Sequence, residues 1–384
     1  MAANRVGIVG AGQLARMTAQ AAIALGIDLR VLANAFNEPA ARICPDVLLG
    51  SPDDPDAVKQ LVAGCDVTTF DHELVDADLI QRLESAGHRF APGGATMAIA
   101  QSKHLQRERF AALGLPLPAF EIAEGAAILS RAEAFARVHG WPLMIKADKG
   151  GYDGRGVWSA GTEQDVAEIA SELANRGIAA VIEECVPIDC EVAIQIARGP
   201  SGEFRAYPLV ETVQEDGMLR ELLAPALVNN ELQAEAVTIA ERIAVDTDLV
   251  GLLAVEFFVS NGQLLVNEIA TRPHNSGHYT IEGAVTSQFE QHLRAILGMP
   301  LGLTSLTGAH VATVNVVGAS AGASPESNLK AGLSIEGAHV HLYGKESRPG
   351  RKLGHVTVVS DDRQSALERA RMAARLLEGG CLHD

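Results

Sequence analysis

The apolar run Leu143-Met144-Ile145 ends on Lys146, and three residues later comes the loop Gly150-Gly151-Tyr152-Asp153-Gly154-Arg155-Gly156. Glycines let backbone N–H groups approach an anion closely, because no side chain stands in the way. The lysine adds a fixed positive charge beside them. The pattern predicts a phosphate-covering flap over a nucleotide; the alternative is a hairpin loop beside an unrelated lysine. Lys103 is a second cation for the same clamp. Glu256, in Leu253-Ala254-Val255-Glu256-Phe257-Phe258, and Glu268, in Leu265-Val266-Asn267-Glu268-Ile269, are carboxylates inside apolar stretches. A buried carboxylate is costly without a cation or hydrogen-bond donors. On two strands joined by a hairpin, both can share one face. With Asn267 they form an all-oxygen set suited to Mg²⁺ on phosphates. The other reading pairs each with an arginine, Arg272 for example.

Further chemistry surrounds this set. Backbone groups of Glu183-Glu184-Cys185-Val186 could read an adenine edge and Glu191 could hold ribose hydroxyls, although surface acids are the plainer reading for these alone. Arg272-Pro273-His274-Asn275-Ser276-Gly277-His278 follows the second carboxylate strand. Its His-x-x-x-His spacing is not a zinc site, because Pro and Gly interrupt a helix and no third nitrogen or sulfur ligand is adjacent. It reads as a polar loop beside a metal–nucleotide. Lys345-Glu346-Ser347-Arg348-Pro349-Gly350-Arg351-Lys352 gathers four cations in eight residues, either a solvated turn or a site for a substrate phosphate. Gly10-Ala11-Gly12-Gln13-Leu14-Ala15 matches the Gly-x-Gly-x-x-Ala dinucleotide fingerprint, yet Val31-Leu32-Ala33-Asn34 offers no acid for a ribose. A tight strand-to-helix turn, able to hold some other phosphate, fits better.

The elements that must position these groups follow from periodicity. Strands at 6–9, 28–32 and 67–70 alternate with helices at 13–25, 56–62 and 77–85, which predicts a parallel sheet. A helix spans 103–113. Residues 118–186 read as a small α/β unit with a strand ending at Lys146, a helix at 163–175 and a strand at 180–183. From 191 to 224 the strands alternate with turns at 199–202 and 216–217, which predicts an antiparallel sheet. A helix at 231–245 precedes strands at 251–259 and 263–269, joined at Ser260-Asn261-Gly262, where Asn-Gly signals a hairpin. Short strands and a terminal helix follow residue 298.

Composition narrows the partners. The 384 residues are 47% hydrophobic and 21% charged, which suits a globular protein of two or three domains. A net charge of −17 argues against nucleic acid or an anionic membrane as the main partner, so clustered cations carry extra meaning. Five scattered cysteines without a CxxC pair argue against a disulfide framework and suit a reducing cytosol. No stretch reads as a signal or membrane segment.

Taken together, the lysine strand, glycine flap, Glu…Asn-Glu strands and parallel N-terminal unit resemble the ATP-grasp superfamily. Four stretches resemble the 5-(carboxyamino)imidazole ribonucleotide synthetases of purine biosynthesis within it: the 150–156 loop, Glu268 to Thr280, Thr286 to His292, and Arg348 to His355. The resemblance covers essentially the whole chain. It implies an α/β fold with an N-terminal parallel α/β domain at 1–102, a central α+β ATP-grasp domain at 103–297 with a lid at about 120–186, and a small C-terminal domain at 298–384.

It also implies a reaction. ATP phosphorylates bicarbonate to carboxyphosphate, which, directly or through released CO₂, carboxylates the exocyclic amine of 5-aminoimidazole ribonucleotide (AIR). The cofactors are ATP and Mg²⁺, with Mn²⁺ as an alternative. By motif, ATP falls to Lys103, Lys146, Gly150 to Gly156, Glu183 to Val186, Glu191, Gln214, Asn267 and Glu268, and the metal to Glu256 and Glu268. Asp153, Arg155, Arg272, His274, Lys345, Arg351 and Lys352 face AIR and bicarbonate. Asn275, Ser276 and Glu73 contact AIR, and Gln13 and Leu14 approach its ribose phosphate. A homodimer in the cytoplasm is expected. Three departures stand out: Gln214 where the family often has histidine, Asp71 in Asp71-His72-Glu73 where two alternating glutamates are usual, and Lys103 with Arg107 as the basic pair of the helix after position 100. The rivals are another ATP-grasp ligase, a nicotinamide enzyme resting on Gly10 and Gly12, and an inactive binding protein.

Overall fold

The computed structural model describes residues 4–150, 156–318 and 324–381. The first unit runs β1 (Arg5–Val9), α1 (Gln13–Leu25), β2 (Asp28–Ala33), β3 (Asp46–Leu49), α2 (Pro55–Val62), β4 (Val67–Phe70), α3 (Ala77–Ser85), α4 (Gly94–Gln101) and α5 (Lys103–Ala112). Its four strands pair in parallel in the order β3-β2-β1-β4, as the strand–helix alternation predicts. Helix starts follow local chemistry. Asp54, Asp76 and Ser102 each accept a backbone N–H of the following turn, which satisfies a donor that has no partner within its helix. Sequence reading missed β3 and α4. The first has only four residues, and the second, Gly-Ala-Thr-Met-Ala-Ile-Ala-Gln, carries little polar contrast between its faces.

The second unit holds β5 (Phe120–Ala123), α6 (Ala127–His139), β6 (Leu143–Ala147), β7 (Val157–Ala160), α7 (Glu163–Asn175) and β8 (Ala180–Glu184). Its sheet, β5-β8-β6-β7, is antiparallel throughout. Ile128, Ala132, Val166, Ile169 and Leu173 of the two helices bury its inner face with Leu143, Ile145 and Ile182. The glycine loop joins β6 to β7, so Lys146 stands at the root of the expected flap. Gly151, Tyr152, Asp153, Gly154 and Arg155 lie outside the described residues.

The remaining elements are β9 (Cys190–Arg198), β10 (Phe204–Ala206), β11 (Val210–Glu215), β12 (Met218–Ala224), α8 (Asn230–Asp246), β13 (Gly251–Ser260), β14 (Gln263–Ala270), α9 (Thr280–Gly283), α10 (Gln288–Ile296), β15 (His310–Val317), α11 (Leu329–Gly332), β16 (Ala338–Leu342), β17 (Lys352–Ser360) and α12 (Arg363–Leu377). They form one antiparallel sheet, β14-β13-β9-β11-β12-β15-β17-β16, with β10 added on β9. The late strands do not build a sheet of their own: β15 pairs with β12. Helix α8 covers the β9–β13–β14 part and α12 the β15–β17 part, each through an apolar stripe. Among the described residues no helix is long and apolar enough to cross a membrane.

His292 of α10 is fully buried, with Nε2 2.8 Å from Thr69 Oγ1, and burial pushes it down to about 4. The unfolded chain therefore binds a proton near pH 6.5 that the folded chain refuses until near pH 4. The stability tied to this ring is complete above pH 6.5 and drains away as pH falls towards 4. We expect wild type to lose about 1 kcal/mol more unfolding free energy than His292→Gln between about pH 7 and about pH 5.5, read by urea unfolding at both values. Equal losses would show that the ring takes its proton freely in the folded state.

Candidate active site

The β13–β14 hairpin turns through Asn261 and Gly262, both at positive φ, 51° and 72°, as a two-residue loop between right-twisted strands demands. It brings Glu256 directly opposite Glu268. The register then slips, so that Phe257 faces Val266 and Asn267 is the extra residue of a bulge. Strict alternation would send Asn267 and Glu268 to opposite faces. The bulge lets both reach the same cavity as Glu256. Three oxygen-bearing side chains thus converge, the donor set that suits Mg²⁺.

Internal basic groups meet these carboxylates. Lys103, the first residue of α5, places Nζ 2.6 Å from Glu268 Oε2. His274 Nε2 is 3.6 Å from Glu256 Oε1. Burial raises both carboxyls. Glu256 is driven further up by Glu268 and Glu191, whereas the Lys103 ammonium and its hydrogen bond hold Glu268 below the usual carboxylate range. One acid is thus kept charged beside a second that ionises reluctantly, a pair that a divalent cation would relieve. Arg272 pairs with neither. Its Nε donates to Glu73 Oε2 at 2.6 Å, which answers the arginine reading of the two carboxylates.

Lys146 Nζ lies 2.7 Å from Glu183 Oε2 and donates to Asn267 Oδ1 at 3.0 Å. The Glu183 carboxylate is thus tied to Lys146 at the cavity wall, and Glu184, Cys185, Val186 and Ile188 carry the wall onward. Glu184 itself is tied back, with Oε1 accepting from Ala119 N at 2.8 Å. Glu191 of β9 is hydrogen-bonded to Gln214 of β11 and raised by burial. Both line the cavity, so an amide holds the acid where the family often has an imidazole.

The loop after β14 is fixed from two sides, by Gln288 of α10 and Gln195 of β9. His274 N donates to Gln288 Oε1 and Gln288 Nε2 donates to His274 O, at 2.9 and 2.8 Å. His274 Nδ1 lies 2.8 Å from Ser276 Oγ, which accepts from Gln195 Nε2 at 2.6 Å. Ser276 is fully buried and is not part of the cavity wall. The structure places it behind the His274 ring, against Nδ1. Arg272, His274 and Asn275 do line the cavity, together with Lys352 from β17.

Two cations of the basic run stand off the wall of the main cavity. Lys345 stands over the Tyr343 ring at 5.7 Å and lines a second opening of about 490 Å³ with Arg42, Gly344 and Ser347. Arg351 donates to the carbonyl of Glu346 at 3.1 Å and is not on the wall of the main cavity. Arg348 is exposed and paired with Glu346, as a solvated turn requires. The main cavity measures about 900 Å³ and collects Gln13, Leu14, Glu73, Lys103, Lys146 and Gly150 as well, room for a nucleotide and a second substrate. Gly156 lies outside it, its carbonyl accepting from Ala147 N at the far root of the loop.

Sequence reading missed two anchors. Asp71 fills the start of α1: its Oδ2 accepts from Gly12 N and its Oδ1 from Ala15 N, both at 2.7 Å. The glycine turn that resembled a dinucleotide fingerprint is occupied from within by a carboxylate. The amides of Gln13 and Leu14 lie between those two bonds. Gln101 Nε2 then donates to the carbonyls of Glu73 and Val75, both at 2.6 Å, holding Glu73 towards Arg272. The second anchor is Arg107, which is buried away from the cavity instead of facing it beside Lys103. A buried polar partner far along the chain leaves no local pattern, so only the unusual Asp71 pointed to the first.

Known proteins share this domain order and fold. Residues 108–289 match the ATP-grasp domain, residues 3–101 the ribonucleotide synthetase preATP-grasp domain and residues 312–369 the phosphoribosylaminoimidazole carboxylase C-terminal domain. The chain is similar to the N5-carboxyaminoimidazole ribonucleotide synthase of Mycobacterium tuberculosis, at 43% identity over 382 residues, 98% of this chain and 88% of the relative. Its fold is similar to the crystal structure of the Thermus thermophilus N5-carboxyaminoimidazole ribonucleotide synthetase, with a TM-score of 0.86 and 38% identity over 97% of this chain and 98% of that one. It is similar also to the N5-carboxyaminoimidazole synthase from Aspergillus clavatus solved with ADP and AIR, with a TM-score of 0.88 and 31% identity over 98% and 99% of the two chains. A chain with these three domains in this order, matched along its whole length, belongs to the N5-carboxyaminoimidazole ribonucleotide synthase family of ATP-grasp enzymes.

Proposed function

We propose that this enzyme uses ATP and bicarbonate to carboxylate the exocyclic amine of AIR, and that the residues of the cavity divide between the two halves of that reaction. The observation that carries the division is that one cavity is lined both by Glu256, Asn267 and Glu268 with Lys103 and Lys146 and by Arg272, His274 and Asn275. Lys103 and Lys146 hold the ATP phosphates, with Gly150 and the loop it opens as cover. Val186 and its neighbours hold the base and Glu191 the ribose. Glu256 and Glu268, with Asn267, would hold Mg²⁺, or Mn²⁺ in its place. The ion supplies charge neutralisation of the transferring phosphoryl group.

A bicarbonate oxygen attacks the γ-phosphorus, ADP leaves, and carboxyphosphate forms. The AIR amine then attacks its carbonyl carbon, or that of CO₂ released from it; phosphate departs and the amine gives up a proton. Asp153 is the proposed acceptor, and Arg155, Arg272 and Lys352 stabilise the anionic intermediate and the leaving phosphate. Carboxyphosphate is labile in water, so a covering loop protects the yield. Glu73, Asn275 and the backbone of Gln13 and Leu14 seat AIR. Lys345 and Arg351, set apart from the main cavity, would serve its outer edge. The reading extends to domain limits at 102 and 297, a homodimer, and a cytoplasmic setting.

The test is ADP release from Mg-ATP and bicarbonate, with and without AIR. Release that rises at least about tenfold with AIR is expected. Equal release in both conditions would mean a different acceptor.

A further inference from the structure

Arg107 lies on α5 one turn after Lys103, fully buried and off the cavity wall. Its Nε donates to Glu183 Oε1 at 2.5 Å and its Nη2 to the carbonyl of Asn267 at 2.8 Å. Lys146 uses the same two residues from the other side, reaching Glu183 Oε2 at 2.7 Å and Asn267 Oδ1 at 3.0 Å. The four residues close a ring. Lys146 and Glu183 touch the cavity and Arg107 stands behind them.

The charge count in that ring matters because almost none of it is in water. Side-chain exposure is 1% for Arg107, 2% for Glu183 and 8% for Lys146. In such surroundings charges a few ångströms apart act strongly on one another. Lys146 and Glu183 alone would form a neutral pair with little pull on a phosphate. A second cation on the opposite carboxylate oxygen leaves the group with one net positive charge beside the cavity. We propose that Arg107 is a positioning residue for the nucleotide step: it takes up the charge of Glu183, so that Lys146 keeps its own for the ATP phosphates. This rests on the reading of Lys146 as a phosphate ligand.

The test is the Mg-ATP dissociation constant, by calorimetry, and the KM for AIR in four variants. Lys146→Met checks the underlying reading: affinity equal to wild type would overturn that reading and this proposal with it. Given a weakened Lys146→Met, Arg107→Met is expected to bind Mg-ATP about tenfold or more weaker with the KM for AIR unchanged. The double variant Arg107→Met/Glu183→Gln removes both charges and should recover to within about threefold of wild type. Arg107→Lys keeps a cation but not the fork that spans Glu183 and Asn267, and should weaken Mg-ATP binding less than Arg107→Met does. Wild-type affinity in Arg107→Met, or no recovery in the double variant, overturns the proposal while leaving Lys146 in place. Should Arg107→Met fail to fold, the double variant decides: about tenfold weakening there overturns it. A merely structural arginine would depress both substrates alike and would not be rescued by removing Glu183.

Discussion

Glu268→Gln is expected to lower AIR-dependent ADP release by about 10³-fold or more while the protein stays folded. The size of the loss follows from where the carboxylate sits. It is the acid that Lys103 keeps ionised, directly across the hairpin from Glu256, whose own charge is suppressed by burial and by Glu268 itself. Removing the charged member takes away the carboxylate that Lys103 keeps ionised and leaves Glu256 alone to meet a divalent cation. Glutamine has the same shape, and its amide oxygen still accepts from Lys103 Nζ, so the fold keeps its hydrogen bond. Release and thermal midpoint should be measured together. Turnover within about tenfold of wild type would remove Glu268 from the metal assignment. A collapse of the midpoint would mean that the carboxylate is chiefly structural.

Gly12→Ala should be among the most damaging single-methyl changes in the molecule. A Cβ on Gly12 would stand 2.2 Å from Asp71 Oδ2, well inside contact distance. That carboxylate cannot step aside without giving up the bonds it accepts from Gly12 N and Ala15 N at the start of α1. We expect a loss of about 2–4 kcal/mol in unfolding free energy, from steric displacement together with a lost helix start. Asp71 leads into Glu73, which Arg272 and Gln101 hold at the cavity. The KM for AIR should therefore rise more than the KM for ATP. A chemical-denaturation midpoint equal to wild type would show that the turn has slack. Equal change in both KM values would show that the damage does not travel through the Glu73 segment.

Both predictions involve groups that the chain shows in very different degrees. Glu256 and Glu268 are conspicuous in one dimension, because an acid in an apolar strand must have a reason, and the Asn261-Gly262 turn foretells that the two strands pair. That Asn267 joins them is not written in any spacing. Alternation would turn it away, and only the register slip opposite Phe257 brings it round. Asp71 is visible as an odd residue, yet its partners stand 59 and 56 positions earlier, a separation no local pattern encodes. Ser276 reads as part of a polar loop, and only the structure shows it buried behind the His274 ring.

Periodicity, glycine and asparagine turns, and the rarity of charge in apolar runs pointed to the parallel sheet, the antiparallel strands from 191 to 224, the helices with strong polar contrast, and the lysines and carboxylates that line the cavity. These are properties of neighbouring residues, and short-range physics is enough to express them. Tertiary structure decided the rest: that the late strands extend the central sheet, that Asp71 fills the first glycine turn, and that Arg107 faces inward to Glu183 while Lys103, one turn away, faces the cavity. It also decided that Lys345 and Arg351 stand apart from Lys352. Each of those outcomes is a competition for burial or for a charged partner between segments far apart in the chain, and such a competition has no winner until the segments meet.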